Sequence, residues 1–256
     1  MKKIGLVLAA LMLAASLTAC NEKVSAYGAY EKMNTAMGKV ESIEMTVDGS
    51  IAMTAMGETM DIEMSGTMKE VILSETEAEM EMYMDMVMFG ETIPTVSYYK
   101  DGYMYQEMYG MKYKTAMGIE EALSQMGTEN LTFSEEAIKE SDVTDVDGGK
   151  QISFTLDGAA LNDILAGAGT LSELAALFGE DGEMAFGDVT YVVNVDKDYV
   201  MKSCEMRFDM TMTVEGEAIE MAYTMTMKVV STNDVTVTFP DDLDTYVGMS
   251  DALGAA

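Results

Sequence analysis

The sequence predicts an α+β domain in which one antiparallel sheet has an apolar face and a charged face. The first observation is strict alternation, clearest in residues 78–88, where every second position is Ala or Met and most positions between are acidic. A period of two places these two sets on opposite faces of a strand. The second observation is a set of short helical stripes, which provide the layer that a one-sided apolar sheet needs.

The predicted strands fall into two groups along the chain. The N-terminal group covers residues 43–53, 60–68 and 78–88, followed by a hairpin in which Asp101-Gly102 joins short strands at Tyr98-Tyr99 and Tyr103–Tyr105. An Asp-Gly pair between strand-forming residues is a strong signal for a two-residue hairpin. The C-terminal group covers residues 189–195, 204–214, 219–229 and 235–239.

Five helical segments are predicted from apolar residues three or four positions apart. They are residues 27–40, residues 119–126, residues 134–139 with Ser134 as N-cap, and a pair at 161–165 and 171–178 separated by Gly167-Ala168-Gly169. Glycines at that break would allow the pair to act as a lid.

The N-terminal segment predicts a bacterial lipoprotein precursor. Two lysines precede an uncharged stretch from Ile4 to Leu17, which is too short to span the ~30 Å of a bilayer core as a helix. The stretch ends in Leu17-Thr18-Ala19-Cys20, a lipobox. We therefore expect cleavage before Cys20, lipid attachment to its thiol, and display on the outer face of the cytoplasmic membrane.

The predicted organisation follows from this cleavage site. Residues 1–19 form the signal peptide, 20–25 a short lipid-proximal tether, 26–246 one domain, and 247–256 a flexible tail. The chain has a formal charge of −30, so nucleic acid is not expected as a partner. Besides Cys20 the chain has one cysteine, Cys204, which falls on an apolar stripe and is expected in the core.

Composition argues against an enzyme. The chain contains no histidine, which excludes the Ser-His-Asp and Cys-His arrangements and the usual zinc ligand sets. We expect no catalytic residues, cofactor or metal. Two metal readings remain as alternatives: Cu(I) held by methionine thioethers, and calcium at Asp142, Asp145 and Asp147, a segment that reads better as a hairpin turn.

The chain resembles the LolA/LppX-like lipoproteins, in particular their Gram-positive branch catalogued as a domain of unknown function. The features in common are the lipobox, a first helix, alternating strands, the hairpin YYKDGYMY followed by GMKYK, and the closing VTFPDDLDTY. The resemblance implies a curved antiparallel sheet, a half-barrel of about 9–11 strands, with helices across its concave face. In the characterised branches of that family the space between sheet and helices holds acyl chains in transit.

The resemblance implies a membrane-anchored lipoprotein that binds or carries a hydrophobic ligand, and the alternative is a structural or interaction lipoprotein with a filled core. The 29 methionines fit either reading, since Met fills cores and also lines deformable binding surfaces. Tyrosine suits a cavity mouth, because an apolar ring carries one polar tip. The candidate ligand-contacting residues are Met80, Met82, Met84, Tyr98, Tyr103, Tyr105, Leu165, Leu174 and Phe178.

Overall fold

One open, curved antiparallel sheet of twelve strands forms the frame of the molecule. This computed structural model describes residues 24–74, 76–125, 133–167, 183–214 and 217–248. The strands are β1 Ser42–Ala55, β2 Glu58–Ser74, β3 Glu77–Met88, β4 Glu91–Lys100, β5 Tyr103–Met108, β6 Met111–Ala116, β7 Ile138–Val146, β8 Gly149–Leu156, β9 Glu183–Asp196, β10 Met201–Val214, β11 Glu217–Thr232 and β12 Val247–Gly248. The helices are α1 Ala26–Met37, α2 Ile119–Gln125 and α3 Gly158–Gly167, with 3-10 turns at Glu135–Ala137 and Leu243–Thr245.

The two groups of strands meet in the middle of the sheet. The order is β12-β6-β5-β4-β3-β2-β1-β11-β10-β9-β8-β7, so the first and last long strands lie side by side. Neighbours are antiparallel, except that β12 pairs in parallel with β6. The count exceeds the expected 9–11 because β6 has six residues and β12 has two, too few for alternation to mark them as separate strands.

Tight hairpins hold this register. Asp101 and Gly102 both adopt positive φ, 52° and 76°, between the paired residues Lys100 and Tyr103. That conformation matches the twist of the flanking strands and favours Asn, Asp or Gly. The Asp-Gly hairpin expected from sequence is confirmed.

The strand register sends apolar side chains to the concave face, where α1 covers part of them. Ser25 caps α1 by accepting a hydrogen bond from the Gly28 amide at 3.0 Å. The Tyr30 ring of α1 stacks on Phe133 and meets the edge of Phe154. The predicted layering of helices on the apolar face is therefore confirmed. No helix within the described ranges is long and apolar enough to cross a bilayer.

Three local expectations differ from the structure. A strand was predicted for residues 235–239, but these residues are irregular and pair with none of the twelve strands. A helix was predicted for 134–139, but Glu135–Ala137 form one 3-10 turn, Ser134 makes no side-chain cap bond, and Ile138 already begins β7. Pairing with β8 satisfies the backbone from Ile138 onward, which outweighs a helix of barely more than one turn. Val247–Gly248, assigned to a flexible tail, pair with β6.

Several sequence expectations fall outside the described residues. These are the signal peptide, Cys20, the helix at 171–178 with Leu174 and Phe178, and the Ala168-Gly169 part of the proposed lid break.

Candidate functional site: the two ends of the apolar face

The apolar face is a cross-strand array of methionines and aliphatic residues. Met68 lies opposite Met45 on β1 and Met82 on β3, and Met64 lies opposite Met86. Directly opposed side chains on antiparallel strands are close enough to pack against one another. The face is thus continuous across the sheet.

One end of this face, which we call the covered end, is the hydrophobic core. Its residues lie under α1, α2 and Phe133, and Met80 is 0% exposed. Cys204 lies here, and burial raises the pKa of its thiol to about 11. The buried side chains of the covered end are Ile43, Met45, Met68, Met80, Tyr99, Met104, Ile152, Phe154, Tyr191, Val193 and Cys204.

The other end of the same face, which we call the open end, lies toward the turns that join β1 to β2 and β3 to β4. Its side chains are half-buried, except Met86, which is exposed. From the strand spacing and rise they occupy an area of roughly 15 Å by 15 Å. The residues of the open end are Ile51, Met53, Met60, Ile62, Met64, Met86, Met88, Met221, Tyr223 and Met225.

Glycine shapes the middle of the open end. Gly49 lies between Met64 on β2 and Met225 on β11, and a Cβ added there would stand 3.2 Å from the Met64 methyl carbon. Met64 therefore lies against the space left by the missing side chain. A flexible thioether beside such a gap can repack around ligands of different shape.

The predicted methionine site is divided by the boundary between these two ends. Met80 is fully buried, and Met82 is partly buried against the core. Met84 is half-buried, one row closer to the open end. Leu165 lies within the backbone of α3, and its side chain is not among those described.

The structure does not place the predicted tyrosines with these methionines. Tyr98 pairs with Glu81 and Tyr99 pairs with Met80, so Tyr98 lies on the polar face, behind the methionines. Tyr105 pairs with Tyr98, and the exposed Tyr103 lies on the same polar face. These tyrosines therefore do not lie on the same face as Met80, because adjacent residues of a strand point to opposite faces, and their contact with a ligand stays a prediction.

The tyrosines instead hold a segment whose path sequence reasoning missed, residues 235–248, which we call the C-terminal clasp. It crosses the polar face of the sheet from β1 to β6. Phe239 packs against Tyr98, with ring centroids 6.0 Å apart, and Tyr246 meets the edge of Tyr105 at 5.5 Å. The Lys100 ammonium lies 4.3 Å from the Phe239 ring centroid.

Polar contacts fix the same clasp. The Thr238 amide donates to Glu81 at 3.2 Å, and Glu81 also pairs with Lys69 at 3.3 Å. Lys112 donates to Asp242 at 2.7 Å, which lowers the pKa of that carboxyl. The hairpin YYKDGYMY, the segment GMKYK and the closing VTFPDDLDTY thus contact one another, which gives all three motifs a structural role.

The described clefts do not include the buried methionines. Three open clefts of about 370, 520 and 670 Å³ lie beside the β2–β3 and β4–β5 turns, on the polar face next to Tyr83, and along α1. Neither Met80 nor Met82 lines any of these three.

The calcium and Cu(I) sites considered as alternatives have different structural support. No group of three or more His, Cys, Asp or Glu among the residues described here could hold a metal ion. Asp147-Gly148 form the β7–β8 turn, as the hairpin reading of that segment predicted. Cross-strand methionine pairs such as Met64 and Met86 supply neighbouring thioethers, an arrangement that suits a deformable apolar surface as well as Cu(I).

Comparisons with known proteins identify one matching family and several solved structures that resemble this chain. Residues 25–245 match a family described as a family of unknown function, DUF6612. No curated protein matches the chain.

Two mycobacterial proteins are among the similar solved structures. LprF from Mycobacterium bovis is 11% identical, with 84% of this chain and 96% of that chain covered and a TM-score of 0.41. The lipoprotein LppX from Mycobacterium tuberculosis is 9% identical, with 84% and 98% covered and a TM-score of 0.40. A putative outer membrane lipoprotein-sorting protein domain from Vibrio parahaemolyticus is 8% identical, with 86% and 97% covered and a TM-score of 0.26.

Proposed function

The chain belongs to the DUF6612 family of unknown function, and from this premise we propose that it is a membrane-anchored extracytoplasmic lipoprotein that binds or carries a hydrophobic, lipid-like ligand on the open end of its sheet. The observation that supports the proposal is the contrast along one face. Met80 is fully buried, whereas Met86 is exposed, although both are methionines on the same face of β3 and only six residues apart.

Exposed apolar surface favours an apolar ligand for a physical reason. Removing apolar surface from water is favourable by about 25 cal/mol of free energy per Å². A contiguous half-buried array is therefore a binding surface for anything that removes it from water. Because Met is unbranched and polarizable, this surface suits a ligand class better than one rigid molecule.

The charge of the protein narrows the ligand further. The chain carries a formal charge of −30, and the polar side of the strands is rich in Asp and Glu. Such a field disfavours an anionic headgroup near the sheet. We expect a neutral lipid, or an acyl chain whose headgroup remains in water beyond the sheet.

A binding assay with matched variants tests this proposal. Met64→Gln with Met86→Gln puts two amides into the open end, whereas Ser65→Gln with Asp85→Gln alters the adjacent pair of the same strands on the polar face. We expect the first variant to bind a fluorescent fatty-acid probe at least tenfold more weakly, because each amide must lose water to meet an alkyl chain. The second variant should bind as the wild type does.

The structural alternative makes the opposite prediction. A lipoprotein with a filled core and no small-molecule ligand would show no binding of the probe by the wild type. That result would leave a structural or interaction role.

The anchor is tested separately. We propose that Cys20 is the first residue of the mature chain and that its lipid holds the protein on the outer face of the cytoplasmic membrane. We also propose that the chain belongs to the Gram-positive branch of the LolA/LppX-like lipoproteins. Cys20→Ala should abolish lipidation and accumulate the precursor, as globomycin should in the wild type. A mature protein that begins at another residue would contradict the lipobox assignment.

A further inference from the structure

Three hairpin tips at the open end carry large apolar side chains. Met56, Phe89 and Tyr109 each occupy the first position of a two-residue turn, followed by Gly57, Gly90 and Gly110. Their side chains are 84%, 79% and 65% exposed, the three highest values among the large apolar residues described.

The backbone makes these residue choices unfavourable for the turns themselves. Met56, Phe89 and Tyr109 have φ of 53°, 55° and 53°, a left-handed conformation that Asn, Asp and Gly adopt more readily. The hairpin at the opposite end of the sheet has the same geometry, with Asp101 at φ 52°. Turn geometry therefore does not require an apolar residue. At the three tips an exposed apolar side chain is present although the left-handed backbone conformation is less favourable for it than for Asn, Asp or Gly.

The tips form a row rather than a patch. They join β1 to β2, β3 to β4, and β5 to β6, so each is two strands from the next, a step of about 10 Å. Separate protrusions of this kind give a protein partner little contiguous surface to cover, whereas a fluid bilayer surrounds each one. Glu58 and Glu91 directly follow two of the tips, which disfavours anionic headgroups.

The tips also continue the open end. Met53 and Met60 form the first methionine pair below the Met56 turn, after Ala55 and Glu58, and Met88 directly precedes Phe89 and pairs with Glu91. An apolar ligand leaving a membrane between the tips would pass Glu58 and Glu91, which lie at the edge of that face, and would then reach the methionine surface.

The chain enters the domain at the opposite end. Val24 lines the same cleft as Asp198 and Tyr199, which belong to the β9–β10 turn. The strands of the sheet reach 14 residues or more, about 45 Å, whereas the four residues from Cys20 to Val24 span at most ~14 Å. A lipid on Cys20 would therefore hold the covered end near its membrane and direct the tips away from it.

We propose that Met56, Phe89 and Tyr109 insert into the surface of an uncharged lipid bilayer other than the one that holds the anchor. This placement rests on the proposed function, since the anchor sets the orientation. The tips then deliver the open end to a second lipid surface, and the ligand moves between the two.

The chain contains no tryptophan, which allows a direct test. Lipidated protein carrying Phe89→Trp is reconstituted in plain phosphatidylcholine vesicles. Vesicles of phosphatidylcholine with brominated acyl chains are then added as acceptors. Bromine quenches only an indole that enters the acceptor bilayer, so we expect the emission to fall by about twofold or more and to shift to the blue. Tyr109→Trp serves as a second reporter if Phe89→Trp folds poorly.

Two controls make the result specific. Asp101→Trp reports from the matching hairpin at the other end and should not be quenched by the acceptors. Met56→Asn and Tyr109→Asn, added to Phe89→Trp, should reduce the quenching while leaving thermal stability unchanged or higher, because Asn suits these turns.

An unquenched Phe89→Trp and Tyr109→Trp, or equal quenching at Asp101→Trp, would overturn the proposal and favour a protein partner for the tips. These outcomes are independent of the fatty-acid assay, because quenching requires no ligand on the open end. Binding of the probe without tip insertion would leave the proposed function intact.

Discussion

The covered and open ends of the apolar face are built from the same kind of residue on the same strands, yet they differ in almost every physical respect. At the covered end, β3 is buried on both sides: Met80 lies under the helices, and Glu81, 4% exposed, lies under the C-terminal clasp. Near the other end of the strand, Met86 faces solvent. The difference shows that the pattern of a strand defines a face, whereas what packs on the face defines its role.

Truncating one methionine at each end should give the largest difference between the two ends. Met80→Ala should lower the free energy of unfolding by about 2–5 kcal/mol, because a close-packed core does not collapse around the lost atoms. Met86→Ala should change it by no more than ~0.5 kcal/mol, as expected for an exposed site. Urea melts followed by circular dichroism measure both. Equal losses would show that the open end is part of the core.

Thiol accessibility gives a second contrast. Cys204 should react with a maleimide at least ~100-fold more slowly in the folded protein than a cysteine introduced by Met86→Cys with Cys204→Ala. Burial limits access at Cys204 and raises the pKa of its thiol to about 11, so little thiolate forms near pH 8. Rates are measured by mass spectrometry, and unfolding in urea should equalise them. A fast reaction at Cys204 would mean that the covered end opens.

The C-terminal clasp packs on the polar face behind the covered end. Phe239→Ala removes the ring between Tyr98 and Lys100 and should cost about 1–3 kcal/mol. Thr236→Ala, at an exposed position of the same segment, is the control and should have little effect. Thermal melts compare the two. If Phe239→Ala melts as the control does, the clasp contributes little to the covered end.

The smallest expected effect concerns pH at the start of α3. Lys139 and the Gly158 amide both donate to Asp188, which lowers the pKa of that carboxyl below its usual 3.8. Its contribution to stability is therefore complete above pH 3.8 and is lost as pH falls through the lowered pKa. Asp188→Asn should be less stable than the wild type at neutral pH, and the gap should close in acid. Urea melts between pH 2.5 and 7 would show it, and a gap independent of pH would contradict this account.

Several features of the fold could be predicted from the sequence because they depend on local rules. Alternation identified the one-sided sheet, Asp101-Gly102 identified a hairpin, and the apolar stripe of Cys204 placed that thiol in the core. Each depends on backbone geometry within a few residues. The helix at 134–139 failed for the complementary reason: a weak local preference gave way to pairing with β8.

The candidate site could be predicted only in part. Alternation identified the apolar face that carries the methionines, but it did not show that Tyr98, Tyr103 and Tyr105 lie on the other face, although neighbouring Tyr98 and Tyr99 must point oppositely. Only the register with β3 decides which of them faces Met80. The first part of the clasp alternates and was predicted to be a strand at 235–239, but it crosses strands instead of joining the sheet, and the clasp's contacts with Glu81 and Lys112 span 157 and 130 positions of chain.

By itself, the sequence determined most of the long strands, their apolar and charged faces, and the lipobox that predicts an anchor, because each is encoded in side chains a few positions apart. Tertiary structure alone decided how much of the apolar face α1 covers, and therefore which methionines form the core and which remain exposed. It also decided that three apolar hairpin tips lie in one row. The physical reason is that a side chain is buried only when residues distant in the chain pack against it. Met80 and Met86 occupy equivalent positions in one alternating strand, and only packing makes one a core residue and the other a candidate ligand contact.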